Sequence, residues 1–315
     1  MGILVEHSVS YIAIILIAAA VLFGCGKPGH PDQVTLTPTE ELAAQYDLYK
    51  QIAPKGWAVS KECDALLFTS LQRIGTIDAS GDGGAIEQAM GSPGQWFRLP
   101  SLVTDKTVCS ADISRDMFMG LLSYIYEFKR LDLAEQIWEY GEKNSWKMGE
   151  ERKEGLQNRV QFLPSTIGLL AQVIYALGGE DHAERYYSQI ESYSTQPGYV
   201  SHLTLLHIRL VGKINGEISD GELEVLRKIL KHMQQNPLAH ALYHKYTDGD
   251  QTEATRLLLS IWPKDRLPTG ADWHEEWRTQ RSDGDSGLLP SNTKATTVHS
   301  GGDFLFAAAI ILGYI

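Results

Sequence analysis

Three aspartates have the residue type and the positions that acid and base catalysis requires. Asp64, Asp116 and Asp303 occur in the segments CDALL, SRDMF and GGDFL, each at the start of a long apolar run. If those runs are neighbouring helices, the three carboxylates lie at the same end of the protein. Two carboxylates in one cavity can act as a general acid and a general base, as they do in glycoside hydrolysis. We therefore expect a site in which Asp64 and Asp116 are acid and base candidates.

Long segments between the predicted helices supply a second set of candidates. Residues 91–113, 144–163 and 262–301 contain five of the seven tryptophans, beside arginine, glutamate and histidine. Long loops in a compact domain are uncommon unless they have a function. An exposed tryptophan side chain is unfavourable unless a ligand or another part of the protein covers it. This composition predicts a pocket for a flat, amphipathic ligand such as a sugar ring, unless each tryptophan only packs its own loop onto the protein. The candidates are Glu150 for catalysis and Trp96, Arg98, Arg115, Trp146, Arg159, His299 and Asp303 for substrate binding.

The elements that position these residues are predicted to be helices, because apolar residues recur with a period of 3.6 and no stretch alternates like a strand. Some predicted helices, such as STIGLLAQVIYAL, are apolar nearly all round; others, such as DGELEVLRKILKHMQQ, are amphipathic. A helix of the first kind must be buried, whereas one of the second kind lies at a surface. The predicted helices are 39–52, 62–75, 84–90, 114–129, 132–143, 164–177, 180–192, 198–214, 220–235, 237–246, 250–261 and 302–315.

The order of these helices resembles the all-α, (α/α)6 toroid, in which six inner helices alternate with six outer ones. Many carbohydrate-active enzymes, including unsaturated glucuronyl hydrolases, and some polysaccharide lyases share this fold. The resemblance covers residues 39–315 and implies a central cavity lined by aromatic and carboxylate side chains at the inner-helix starts. In this layout the uncharged run after Asp303 is the sixth inner helix, since it is shorter than the roughly 20 residues that cross a bilayer. The alternative is a C-terminal membrane anchor.

The first 24 residues have the features of a signal peptide, with an apolar stretch from Tyr11 to Gly24 that leads directly to Cys25. Leu22 to Cys25 resembles the lipobox of bacterial lipoproteins, although the segment before it lacks Lys and Arg. The resemblance implies that Cys25 is lipidated and that residues 25–38 tether a single domain, 39–315, to a membrane. Gly26 is not the aspartate of an inner-membrane retention signal, so we expect an envelope protein of the outer membrane. An uncleaved anchor is the alternative.

Export also affects how the two remaining cysteines are interpreted. Cys63 and Cys109 could form a disulfide in an oxidising compartment, or they could be two buried free thiols.

Charge and motifs exclude several other functions. A formal net charge of -11 argues against a general nucleic-acid-binding protein, which needs a basic surface. His240 and His244 have helical ligand spacing but lack the glutamate of HExxH, so no metal site and no cofactor are predicted. We expect a membrane-anchored glycan hydrolase or lyase with a glycan as ligand. The alternative is a non-catalytic lipoprotein that binds glycan or a protein partner through a helical-repeat surface; in such a solenoid the first and last helices lie far apart.

Overall fold

The computed structural model describes residues 36–52, 56–57, 65–78, 86–105, 113–148, 160–182, 199–234, 236–261 and 302–315. Backbone contacts divide the chain into two units at Leu36, and all of the elements below belong to the second unit, Thr37–Ile315. Within the described residues the protein is all-α apart from one very short hairpin. The helices are α1 Pro38–Ile52, α2 Ala65–Thr76, α3 Arg115–Glu127, α4 Leu131–Lys143, α5 Pro164–Ala176, α6 Tyr199–Asn215, α7 Asp220–His232, α8 Pro237–Lys245, α9 Thr252–Ile261 and α10 Gly302–Ile311.

The predicted all-α class is confirmed, with two local corrections. The predicted helix 84–90 is a short 3-10 helix, Ile86–Ala89, and a second one spans Pro100–Val103. No strand is predicted, yet Lys147–Met148 (β1) pairs antiparallel with Val160–Gln161 (β2). Two-residue strands are too short to give an alternating pattern, which explains why the sequence does not reveal them. The predicted helix 180–192 falls mostly outside the described residues.

Burial follows the two kinds of helix. The core of α10 is apolar on every side, and its residues from Phe304 to Ala309 are all fully buried. On α4, by contrast, Leu133, Ile137 and Trp138 are buried while much of the opposite face is exposed. We call α2, α3, α5, α6, α8 and α10 the core helices. None of the helices in the described ranges is both long enough and apolar enough to cross a membrane.

Each core helix is followed by a residue with a left-handed backbone. After α2, the amide of Ile77 donates to the Ile74 carbonyl and that of Asp78 to the Arg73 carbonyl, the two bonds of a Schellman cap. Such caps satisfy the last carbonyls of a helix and turn the chain sharply. The residues with positive φ after the six core helices are, in chain order, Ile77, Lys129, Gly178, Gly216, Asp248 and Gly313.

The first and last core helices touch along their backbones. A Cβ on Gly75 of α2 would lie 2.6 Å from the main chain of Leu305, and one on Gly302 would overlap the carbonyl oxygen of Phe68. The N-terminal part of α10 therefore lies beside the first half of α2, and Leu305 lies beside its end. The two helices run parallel, and glycine permits an approach that any side chain would prevent.

The remaining contacts connect neighbouring core helices in chain order. Helix α2 packs against α3, α3 against α5, α5 against α6, α6 against α8, and α8 against α10; α3 also packs directly on α6. The amphipathic helices cover these pairs: α4 contacts α3 and α5, α7 contacts α6 and α8, and α9 contacts α8 and α10. Helix α1 packs against α10, with the Tyr49 and Phe304 rings 4.5 Å apart edge to face. The first and last helices of the unit are therefore in contact.

Candidate functional site

The first turn of α3 carries the best-described candidate, Asp116. Its side chain is only 6% exposed, and Ser114 Oγ donates a hydrogen bond to its Oδ1. Ser114 occupies the N-cap position of α3, but its hydroxyl bonds this carboxylate rather than a backbone amide. One turn later, Gly120 packs against the backbone of Leu67 in α2. The Asp116 carboxylate thus lies at the end of the core where α2 and α3 begin.

The two other aspartates belong to the same group of helix starts. Asp303 is the second residue of α10, directly after the glycine that touches Phe68 in α2. Asp64 immediately precedes α2 and lies outside the described residues. Helix α2 packs between α10 and α3: Gly302 of α10 meets Phe68, and Gly120 of α3 meets Leu67, so all three helices begin at the same end of the core.

Buried polar side chains gather at the starts of the core helices. Helix α6, which packs against α3, carries three of them in its first turns, Ser201, His202 and Thr204, all at most 5% exposed. Thr166 in the first turn of α5 is also buried. A buried polar group needs a hydrogen-bonding partner, and further buried polar side chains, Thr69, Ser70 and Gln72, follow along α2.

Arg98 and Arg115 lie beside these helix starts. The carbonyl oxygen of Arg98 accepts a hydrogen bond from the amide of Leu66, at 2.8 Å, and so caps the first turn of α2. Arg115 is the first residue of α3 and is partly exposed. The backbones of both arginines therefore lie within one turn of a core-helix start, Arg98 beside α2 and Arg115 in α3.

Trp96 lies in the packed core. It is fully buried, and the strand-like bridge between Met90 and Trp96 holds its loop closed. The loop lies on α4, where Gly94 has a φ of +77° and a Cβ would overlap the Gln136 carbonyl. The indole N–H has no hydrogen-bond partner among the described residues. The alternative interpretation, in which a loop tryptophan packs its own loop, describes Trp96 well.

Trp146 belongs to an aromatic stack on α4. Its ring lies edge to face with Trp138 at 5.0 Å and presses against Gly141, where a Cβ would collide with the indole. Trp138 also stacks on His182 at 4.0 Å, nearly parallel. Trp146 is therefore half-buried by contacts with its own hairpin and with α4.

The remaining candidates lie outside the described residues. They are Asp64, Glu150, Arg159, His299 and the cysteines Cys25, Cys63 and Cys109, and the same holds for the side chain of Asp303. The ranges that the structure describes contain no group of three or more His, Cys, Asp or Glu side chains suited to a metal ion.

A second polar centre, at the opposite end of the core helices, is not predicted from the sequence. Arg209 of α6 is buried, and its Nη2 donates to Oε1 of Glu127 at the end of α3. Lys213 Nζ lies 3.8 Å from the same oxygen. The signal in the sequence is a single arginine within the apolar run LTLLHIRLVG, but its partner is 82 residues away. Sequence spacing cannot identify such a pair.

Comparison with known proteins adds no further constraint: the chain matches no protein-family model, no curated protein and no solved structure.

Proposed function

We propose that this protein is a lipid-anchored cell-envelope enzyme that hydrolyses or eliminates a glycan at the N-terminal end of its core helices. The observation that carries the proposal is the buried carboxylate of Asp116 at the start of α3, at the end of the core where α2 and α10 also begin, beside the buried polar residues of α6. In this proposal Asp116 and Asp64 exchange protons with the substrate, while Arg98 and Arg115 bind its carboxylate or hydroxyl groups.

We also propose that the core helices form the inner layer of an (α/α)6 toroid. Three features support it: the chain-order contacts among the core helices return to their first member, each core helix ends in a left-handed residue, and α1 contacts α10. A solenoid separates its terminal helices, so the last contact favours a closed arrangement. In a toroid the helix starts face a common cavity, which is where a substrate would meet Asp116.

If the protein is a hydrolase of this kind, replacing Asp116 should remove most of its activity. The purified protein would be incubated with short uronic-acid and neutral oligosaccharides, and new reducing ends and unsaturated products would be measured. Asp116→Asn should lower the rate by about 10² to 10⁴, the usual contribution of a general acid or base.

The matched control is Asp220→Asn, which changes the first turn of the amphipathic helix α7 in the same way. Equal losses in both variants, or no cleavage of any substrate by the unchanged protein, would remove the support for an enzyme.

A non-catalytic binding protein is the second candidate, and the hydrogen bond from Ser114 Oγ to Asp116 favours it, because that bond engages the carboxylate that catalysis would use. Trp96 and Trp146 are packed against the protein, so a bound glycan would be held by polar side chains at the helix starts. Saturable binding of an oligosaccharide without cleavage, weakened by Asp116→Asn and not by Asp220→Asn, would identify this function.

The anchor is tested separately by labelling cells with a fatty-acid analogue. We expect Cys25→Ser to abolish incorporation and to release the protein from the membrane fraction, whereas Cys109→Ser should leave both unchanged. Label that persists in the Cys25→Ser protein would contradict the lipoprotein assignment.

A further inference from the structure

The large apolar side chains that are most exposed in the second unit lie where core helices end. Among the described residues from Thr37 onward they are Ile77, Tyr175 and Tyr314, which are 56%, 61% and 48% exposed. Ile77 follows α2, Tyr175 belongs to the last turn of α5, and Tyr314 follows α10. A single exposed apolar residue is common on a protein surface, so the relative positions of the three decide whether they have a shared role.

Ile77 and Tyr314 are held close together by Tyr46 of α1. The Tyr46 hydroxyl donates a hydrogen bond to the carbonyl of Gly75, two residues before Ile77. The Tyr46 ring also lies 5.2 Å from the ring of Tyr314. Both exposed residues therefore lie at the end of the core where α2 and α10 terminate.

Helix α5 ends at the same end of the core. A Cβ on Gly179, just after α5, would lie 2.8 Å from Cδ1 of Leu131, which begins α4 directly after the turn that follows α3. Since α2 and α3 begin at one end of the core, they also terminate together at the other. Tyr175 thus lies at the end that carries Ile77 and Tyr314, and we call it the C-terminal end of the core.

Helix α1 begins at this end as well. Its Tyr49 contacts Phe304 at the start of α10, whereas its Tyr46 contacts Tyr314 beyond the end of α10. Helix α1 therefore runs antiparallel to α10, and Pro38, its first residue, lies about two turns beyond Tyr46 in that direction. The segment before α1, which the sequence predicts to be a tether, consequently joins the domain at the C-terminal end of the core.

The C-terminal end of the core also carries exposed carboxylates. One occurs shortly after each of five core helices: Asp78, Asp132, Glu180, Glu217 and Asp248. These charges repel an anionic surface, whereas tyrosine is favourable at the interface between water and a neutral bilayer. The surface therefore suits zwitterionic lipid headgroups better than anionic ones.

We propose that the C-terminal end of the core faces the membrane, with Ile77, Tyr175 and Tyr314 in contact with zwitterionic lipid. The inference rests on the proposed lipid anchor at Cys25, which lies twelve residues before Thr37. Twelve residues span at most about 40 Å when fully extended, so an anchored domain stays near the bilayer. The starts of the core helices, and the proposed glycan site, then face away from the membrane.

The competing explanation is that the domain rotates freely on its tether. In that case the three apolar side chains have no common partner, and every exposed position of the domain meets lipid equally often.

The test is photo-cross-linking of the lipidated full-length protein in phosphatidylcholine vesicles. The photoreactive amino acid p-benzoylphenylalanine would replace Ile77, Tyr175 or Tyr314, one at a time, and lipid adducts would be measured by mass spectrometry. We expect at least about tenfold more adduct than from the control positions, because burial of one such side chain gives a preference of that order.

The controls are Ser101 and Glu139, both exposed. Ser101 lies in the short helix that follows Arg98, at the opposite end of the core, and Glu139 lies on the outer face of α4. All five replacements are at surface positions, so the variants should fold.

The same spectra report whether Cys25 carries lipid, which separates the two possible failures. Equal adducts from all five positions of a lipidated protein would overturn this orientation and leave the anchor intact. An unmodified Cys25 would overturn the anchor and this inference together. In cells, adducts of Ile77, Tyr175 and Tyr314 with a protein in place of lipid would show that this surface binds a partner, and would also overturn the proposal.

Lipid charge provides a second measurement. Replacing phosphatidylcholine with phosphatidylglycerol at low ionic strength should reduce the adducts from Ile77, Tyr175 and Tyr314, because the neighbouring carboxylates are repelled. Addition of salt should restore them. An increase with phosphatidylglycerol would contradict the assignment of this acidic end to the membrane.

Discussion

The replacement Gly75→Ala tests the backbone contact between α2 and α10. The new Cβ would lie 2.6 Å from Leu305 C and Phe306 N, whereas ordinary contact begins at 3.4 Å, so the helices must separate by about 0.8 Å. Neither obstacle is a movable side chain. Overpacking of this kind costs typically 1–3 kcal/mol, and the greater helix propensity of alanine returns at most about 1 kcal/mol near a helix end. We expect a net loss of about 1–2 kcal/mol in the free energy of unfolding.

The assay is chemical denaturation followed by circular dichroism, with thermal unfolding as a second measurement. The matched control is Gly221→Ala in α7, where the nearest atom to the new Cβ is Ser219 Oγ at 3.7 Å. That change should be neutral or stabilising by up to about 1 kcal/mol, because only helix propensity is altered. If Gly75→Ala is as stable as the unchanged protein, the close parallel packing of the first and last core helices is wrong.

Three further predictions concern stability. Gly178→Ala should lower the free energy of unfolding by about 1 kcal/mol through backbone strain alone, since φ is +90° and no atom lies within 4 Å of the new Cβ. An unchanged denaturation midpoint would contradict the left-handed cap after α5. Ser219→Ala should lower the free energy of unfolding by about 1 kcal/mol, because it removes the hydroxyl that accepts a hydrogen bond from the Glu222 amide at 3.2 Å. Ser260→Ala is the control, and an equally small loss in both variants would contradict the capping box. Burial lowers the pKa of His207 to about 4. Between roughly pH 4 and 6.5 only the unfolded chain therefore binds this proton, and stability falls as the pH drops through this window, by up to about 3 kcal/mol. The His207→Gln protein should lose correspondingly less stability than the unchanged protein when the two are unfolded at pH 7 and pH 4.5, and equal losses would show that His207 is accessible to protons in the fold.

The helices were predictable because their signal is local. The apolar run DFLFAAAIILGYI can be stable only inside a protein, and α10 is indeed buried on all sides. Its end was less predictable: the helix stops at Ile311 because Gly313 adopts a left-handed backbone, although the apolar pattern continues to Ile315. A periodic pattern identifies a helix, but its last turn depends on the hydrogen bonds of the cap.

The candidate site was predictable only in part, because it depends on which helices become neighbours. The position of Asp116 at a helix start follows from local sequence, whereas the packing of α2 between α3 and α10 depends on glycine contacts between distant segments. Trp96 illustrates the limit: its surroundings in the sequence suggest a binding loop, yet the loop folds back on α4 and buries the ring. The ion pair of Arg209 with Glu127 is likewise a product of the fold.

A crystal structure of the Cys25→Ser protein soaked with uronic-acid and neutral oligosaccharides would test directly whether the core helices form a glycan site. We expect α1 to contact α10 and sugar density to lie at the starts of α2, α3 and α10, within hydrogen-bonding distance of Asp116. Separated terminal helices, or sugar bound away from these helix starts, would contradict this expectation.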